Sequence, residues 1–383
     1  MMGKRYLDQF HVRKLALGLM LVTASAPSLA QEAAVSFREH PFLLFDEEDS
    51  RTADVSLADL DGDGDLDVVA ANGRHWPQQD WVFLNHGNGR LLEALPLGET
   101  RSSTYTIRLA DLDGDGDIDA VAVRDLLPAL IFVNSGSAGF SVAGEIPGSA
   151  VPARSATLAD VNSDGHLDLI VATRREPDRV YFGLGDAAFG AATDLPDDGF
   201  GSTGVVAEDM DRDGDIDLVF ARRDGAASVV MANDGNGTFS ISALPQSEGD
   251  HRKVATGDFD GDGLLDIVLV STNGTHSFFR QGDDGSFSLA SHFGQTGEGV
   301  QAIAAGDLDG DGDVDLVAGT EGANLVYRNS GDGHFEREIL PGDPGDTYGI
   351  ALGDMNGDAI LDIVIANSGA SNEVLLGIPP VTD

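Results

Sequence analysis

Residues 59–67 read Asp-Leu-Asp-Gly-Asp-Gly-Asp-Leu-Asp, five carboxylates in nine positions. Carboxylates this close repel one another, so a folded chain keeps them only where something neutralises the charge. The same grammar returns as DLDGDGDID (111–119), DVNSDGHLD (160–168), DMDRDGDID (209–217), DFDGDGLLD (258–266), DLDGDGDVD (307–315) and DMNGDAILD (354–362). Successive copies begin 52, 49, 49, 49, 49 and 47 residues apart. A period near fifty marks a repeat architecture, with one supersecondary unit per copy.

Each nonapeptide sits in a recurring frame. A short run ending in Ala or Gly precedes it, as in Ile303-Ala304-Ala305-Gly306, and an unbroken apolar run follows, as in Leu169-Ile170-Val171. A third apolar run comes after a loop, at Trp81 to Leu84, Ile131 to Val133 and Leu325 to Tyr327. A turn of the form Asn-x-Gly-x-Gly then leads to Phe, most clearly over Asn233 to Phe239, and a last strand ends near Leu-Pro. This predicts four strands per repeat, with repeats near 55–100, 105–150, 154–200, 203–248, 252–298, 301–346 and 349–378. Strands apolar on both faces must be buried on both faces. A four-stranded antiparallel sheet repeated around an axis achieves this, so the expected fold is all-β, a seven-bladed β-propeller. An open β-solenoid is the rival. The seventh repeat stops after its third strand, at Asn372 to Leu376, and Phe37 to Leu44 resembles the Phe-led fourth strands. Segment 35–45 is therefore expected to complete the last blade and close the ring, giving one domain over 31–383.

Positions 1, 3, 5 and 9 of the nonapeptide are Asp or Asn in all seven copies, and position 6 is Gly in six. Side-chain oxygens at alternate positions of a tight loop wrap a hard cation. Calcium takes about 6–8 oxygens at roughly 2.3–2.6 Å and suits an oxygen-only site better than magnesium. The candidate side-chain ligands are Asp59, Asp61, Asp63 and Asp67; Asp111, Asp113, Asp115 and Asp119; Asp160, Asn162, Asp164 and Asp168; Asp209, Asp211, Asp213 and Asp217; Asp258, Asp260, Asp262 and Asp266; Asp307, Asp309, Asp311 and Asp315; and Asp354, Asn356, Asp358 and Asp362. The carbonyl at position 7 is expected as a further ligand, so Asp65, Asp117, His166, Asp215, Leu264, Asp313 and Ile360 are interchangeable there. An EF-hand is excluded: position 12, where a bidentate Glu is required, holds Ala70, Ala122, Val171, Phe220, Leu269, Ala318 and Ile365. Up to seven structural Ca2+ ions follow, and their binding energy is folding energy. Ala359 at position 6 of the last copy, where a left-handed backbone is expected, makes blade 7 the weak site.

The Asp-x-Asp/Asn-x-Asp-Gly-x-x-Asp loop between the first two strands, with Asn-x-Gly-x-Gly-x-Phe downstream, resembles the FG-GAP or VCBS repeat family, whose best-known propeller is the integrin α-subunit head. The resemblance covers about residues 35–378. Gly-Ala-Pro itself is absent, replaced by segments such as Ala70-Ala71-Asn72 and Ala318-Gly319-Thr320, which is closer to bacterial VCBS-type copies. The resemblance implies structural calcium in the loops. It leaves the ligand open, because adhesion proteins, lectins and propellers attached to lyases share the repeat.

Residues 1–30 read as a secretory signal: Lys4, Arg5, Arg13 and Lys14, an apolar Leu15 to Val22, then Ser28-Leu29-Ala30. An uncleaved anchor is the alternative. The expected location is periplasmic, secreted or cell-surface, and without cysteine the exported chain must be stabilised by something other than disulfides. Removing Asp8 and the four leader bases leaves 64 acids against 19 bases, a net charge of −45. No basic patch dominates, which argues against nucleic acid, and no other stretch is apolar enough to span a membrane. Eleven of those 19 bases are expected on the rim opposite the Asp loops. Arg74, Arg124, Arg174, Arg175, Arg222 and Arg223 are read in loops between second and third strands, and Arg51, Arg101, Arg154, Arg252 and Lys253 in the links between blades. This face, with Trp76 as a stacking platform, is the candidate site for a glycan or an extracellular protein, Arg serving as bidentate donor. A polysaccharide lyase using the same Arg face is the alternative function. No His-Glu-x-x-His and no Gly-x-Ser-x-Gly occurs, so no catalytic residue is assigned.

Overall fold

A computed structural model of the chain describes residues 35–47, 49–196, 199–342 and 344–379. All of them belong to one compact unit that begins at Ala34, and the expected leader lies outside the described residues. Seven antiparallel sheets follow one another, and the first strand of each touches the first strand of the next. The last, Thr347–Gly353, touches the first, Thr52–Ala58, so the ring closes and the open solenoid is excluded.

Blade 1 shows the plan: Thr52–Ala58, Asp67–Asn72, Trp81–Leu84 and Glu93–Pro96, from axis to periphery. The second strand is buried at every residue. Its alternate side chains enter different cores: Val68 and Ala70 pack with Val364 and Val374 of blade 7, whereas Val69 and Ala71 pack with Ala120 and Phe132 of blade 2. Among the described residues seven such inter-blade cores occur, one per interface. This is why the second strands are apolar on both faces. Fourth strands are mostly exposed, as in Ser141–Glu145.

Ring closure follows the expected route with one refinement. Ser36–Arg38 and Leu44–Phe45 both pair antiparallel with Asn372–Ile378, and a 3-10 turn at Pro41–Leu43 separates them. Pro41 has no N–H to continue the ladder, which accounts for the break. Blade 3 departs from the plan after Arg179–Tyr181: Gly183–Gly185 and Ala188–Phe189 form a separate hairpin, and Thr193–Asp194 supplies a two-residue fourth strand.

Between blades, an amide side chain at the end of the third strand acts as a latch. Asn85, Asn134, Asn233 and Asn329 donate through Nδ2 to the carbonyl of loop position 2 in the preceding blade, at 2.7–2.8 Å, onto Met355, Leu60, Val161 and Phe259. Gln281 reaches Met210 in the same way. In the sequence these Asn residues read only as turn formers.

Candidate functional site

Two sets of polar residues occupy opposite ends of the blades. The Asp loops join first to second strands at one end. Position 1 accepts the N–H groups of positions 4 and 6, as Asp59 does from Gly62 (2.8 Å) and Gly64 (3.0 Å). Position 3 accepts from position 5, and position 5 from position 7, as Asp61 and Asp63 do at 3.2 and 3.0 Å. Position 9 is different. Asp67 is fully buried and takes the N–H of Leu60 (2.9 Å) and of Asn85 (2.8 Å), tying the loop to the third strand. Burial pushes Asp67, Asp168, Asp217, Asp266, Asp315 and Asp362 up to about 6, although two backbone N–H bonds pull each the other way, or, at Asp315, the Asn329 N–H and the Arg328 guanidinium.

In five loops, three carboxylates bring oxygens within 4.8 Å of one another: Asp59, Asp61 and Asp67; Asp111, Asp113 and Asp115; Asp209, Asp211 and Asp217; Asp258, Asp260 and Asp262; Asp307, Asp309 and Asp311. The loops with Asn162 and Asn356 at position 3 form no such trio among the described residues. Asp209 Oδ1, Asp258 Oδ1 and Asp309 Oδ1 are buried and meet no donor. A desolvated carboxylate oxygen without a partner is costly, and a hard cation held by these loops would supply one. The donor set is all oxygen, so these residues fit a metal ion of the calcium type. The position-7 side chains Asp65, Asp117, Asp215 and Asp313 instead pack under the next turn: a Cβ on Gly87, Gly136, Gly235 or Gly331 would lie 2.5–2.9 Å from their oxygens. Position 6 is left-handed throughout, from φ 82 at Gly263 to φ 97 at Gly214, and Ala359 also adopts φ 66. Position 4 is left-handed too, at Gly62 (φ 78), Ser163 (φ 57) and Arg212 (φ 63) among others.

The opposite end carries the basic residues, and here the arrangement differs from the expected one. Arg124 and Arg222 are the last residues of second strands and are 6% and 1% exposed. Arg124 donates to Pro128 O (2.6 Å) and pairs with Glu145 (3.3 Å), and neither Arg124 nor Arg222 stands exposed on the rim. Apolar runs ending in a charged residue look like strand followed by loop, which is why the sequence put these two on the rim. Arg175 lines a small cleft beside Phe200, and Trp76 stands 61% exposed on its loop. Trp81 opens its strand and packs in the core.

Arg74, Arg174 and Arg223 converge on the axis, joined by Arg154, Arg252 and Lys253 from the first strands. Together they line a cavity of about 290 Å³ with Tyr105, Tyr348, Gln301, Glu321 and His75. A β-bulge builds it. In six blades the register between first and second strands slips at one residue: Ala53, Tyr105, Arg154, Thr203, Arg252 and Tyr348. A bulge re-aims the extra side chain, and all six line the cavity; Gln301 takes the same place in blade 6. Each lies six positions before its Asp loop, so the ring of seven was written in the repeat register, a signal available in the sequence and not used.

Arg154 pairs with Asp125 (2.9 Å), Arg223 with Asp250 (2.7 Å) and Arg174 with Asp224 (3.8 Å). The Arg74 guanidinium lies 3.5 Å from the Tyr348 ring centroid. Burial, with Arg223 alongside, lowers Arg252 to about 10, and burial lowers Lys253. Tyr105 Oη is 2.9 Å from His75 Nε2, and His75 Nδ1 is 3.3 Å from Asp125 Oδ2, a relay assembled from residues 30 and 50 positions apart. No described helix is long and apolar enough to cross a membrane.

The sequence model of the FG-GAP-like repeat matches residues 53–122, 160–220, 209–269, 258–318 and 307–365. Among solved structures, the chain is similar to an Agrocybe aegerita lectin solved for specific recognition of non-reducing terminal N-acetylglucosamine, with TM-score 0.58, 21% identity, and 84% of this chain and 87% of that one covered. It is also similar to BBS1N, solved in complex with ARL6DN, with TM-score 0.59, 13% identity and 90% and 97% covered. No curated protein matches the chain in sequence.

Proposed function

The chain belongs to the FG-GAP-like repeat family, and from that premise we propose that it is an exported binding module, stabilised by calcium at one end of its blades and recognising an anionic glycan or protein ligand at the other. The observation that carries the ligand reading is the axial cavity: six cationic side chains meet there in a protein of net charge −42. Positive charge concentrated in a concave site steers and orients anionic groups. That one similar propeller is a glycan-binding lectin and another is held in a protein complex supports a binding role without naming the ligand. Calcium bound at the loops supplies positive charge only; the aspartates hold it, and the latching Asn residues transmit its stabilisation from blade to blade. Two measurements test the reading: metal content of the purified chain before and after chelation, and a screen against acidic and neutral glycans. Arg74→Gln, Arg252→Gln and Lys253→Met together are the discriminating variant, because Arg222 is buried and its replacement would disturb folding. Wild-type binding that survives the triple change refutes the site.

The Tyr105–His75–Asp125 relay favours a second reading, a lyase acting on an acidic sugar. A cation would neutralise the carboxylate while the relay takes the proton from the adjacent carbon, a C=C bond forms, and the glycosidic oxygen leaves with a proton returned by the relay or from solvent. Incubation with uronate-containing polysaccharides and detection of unsaturated ends decides this; Tyr105→Phe must abolish any product formed.

A further inference from the structure

The axial cavity has an acceptor as well as donors, and that narrows its ligand. We propose that it is a single-residue site for a sugar acid, a ring carrying both a carboxylate and hydroxyl groups. This deepens the anionic-ligand reading above and rests on it.

The donor side is Arg74, Arg252 and Lys253. None has a carboxylate within 4.0 Å among the described residues, and Arg74 Nε is buried without a partner. Asp346 acts through space on Arg74 and Arg252, and Asp54 on Lys253, both beyond ion-pair distance, while Glu321 lines the same cavity with its Oε1 held by Gln301. Tyr348 holds the Arg74 plane by stacking at 3.5 Å. This side calls for an anion, and a guanidinium takes a carboxylate bidentately.

The acceptor side is Gln301, which is 2% exposed. Its Nε2 donates to Glu321 Oε1 at 2.7 Å. A carboxylate cannot donate, so the amide orientation is fixed by chemistry. That leaves Gln301 Oε1 buried with no donor. An acceptor left this way is disfavoured unless a ligand donates to it. Sulfate has charge and no hydroxyl donor. A neutral sugar has hydroxyls and no charge. A hydroxylated carboxylate satisfies both sides. At about 290 Å³, enclosed by the ring of first strands, the cavity lies just under the ~300–1,000 Å³ usual for drug-sized ligands. It therefore takes one sugar unit at a chain end, not the interior of a polymer.

The test is calorimetric titration of the calcium-loaded full chain with glucuronate, glucose and sulfate. Glucuronate is expected to bind at least about tenfold more tightly than either control. Arg252→Gln with Lys253→Met removes binding of glucuronate and sulfate alike. Gln301→Leu reduces glucuronate to the level of sulfate and leaves sulfate unchanged. Should that variant fail to fold, the three-ligand comparison on the wild type still decides. Sulfate or glucose binding as tightly as glucuronate overturns the proposal. So does a chain that binds an acidic polysaccharide but not glucuronate, which leaves the broader binding function standing. If no acidic ligand of any size binds, both fall.

Discussion

Replacing the latch Asn85 with Ala should destabilise the protein more than the same change at Asn134. Asn85 is fully buried and makes four side-chain hydrogen bonds: it donates to Leu66 O (3.1 Å) and Met355 O (2.8 Å) and accepts from Asn88 N (3.3 Å) and Gly89 N (3.0 Å). Asn134 makes three, to Leu60 O (2.8 Å), to Ile118 O (3.1 Å) and from Ser135 N (2.8 Å). The partners left behind also differ. Leu60 O keeps the Ala138 N–H at 2.9 Å, whereas Met355 O has no second donor among the described residues. At about 1 kcal/mol per bond, and about 1 more for the orphaned carbonyl, Asn134→Ala costs about 3 kcal/mol and Asn85→Ala about 5. The assay is urea unfolding in saturating calcium, read as the shift in midpoint at unchanged slope. Unfolding free energies for the two variants, taken as midpoint times slope, that agree within about 0.5 kcal/mol or rank the other way would refute the seam-latch reasoning.

Other expectations concern the metal, the acid core and the backbone. Exhaustive chelation should lower the melting temperature steeply, because each ion held at a hundredfold excess over its Kd adds about 2.7 kcal/mol; an unchanged melt rules out structural metal. Asp80 is buried, accepts from Asn72 N and Thr104 Oγ1 (both 2.7 Å), and burial raises it from 3.8 to about 7. An acid raised on folding holds its proton more tightly in the folded state, so stability should be full below 3.8 and fall as pH rises to about 7. Asp80→Asn should flatten that slope in melts at constant calcium; an unaltered slope rejects the assignment. Ala359→Gly should raise stability by about 0.5–1 kcal/mol, relief of left-handed strain outweighing the flexibility added to the unfolded chain. A lower denaturation midpoint for that variant counts against strain at φ 66.

The repeat period, the four-strand frame and the N-terminal completion of blade 7 were legible because each is written in local pattern and repeated in register. The Asp loops were legible for the same reason, and Ala359 stood out against six glycines. What escaped the sequence depends on depth and angle. Arg124 and Arg74 follow similar apolar runs, yet one is the buried end of a strand and the other reaches the axis. The bulge residues were visible as positions but not as a cavity, since nothing in a linear pattern says that Tyr105, Arg154 and Arg252 point at one another. The His75–Tyr105–Asp125 relay crosses a blade boundary and leaves no spacing to recognise.

The pairing of Ser36 with Ile378 makes the last contact of the ring the one most distant along the chain. Synthesis delivers one partner before the blades and the other after them. Until the carboxyl-terminal strand is made, its future neighbour has nothing to zip against, and the six blades between them remain an open arc. Closure of so long a loop is entropically slow. Meanwhile the arc exposes an unpaired strand edge, a natural template for strand exchange with another copy. Expression yield should therefore fall as the rate of chain initiation outpaces completion, and early-stopped products should aggregate even when every blade they contain is intact.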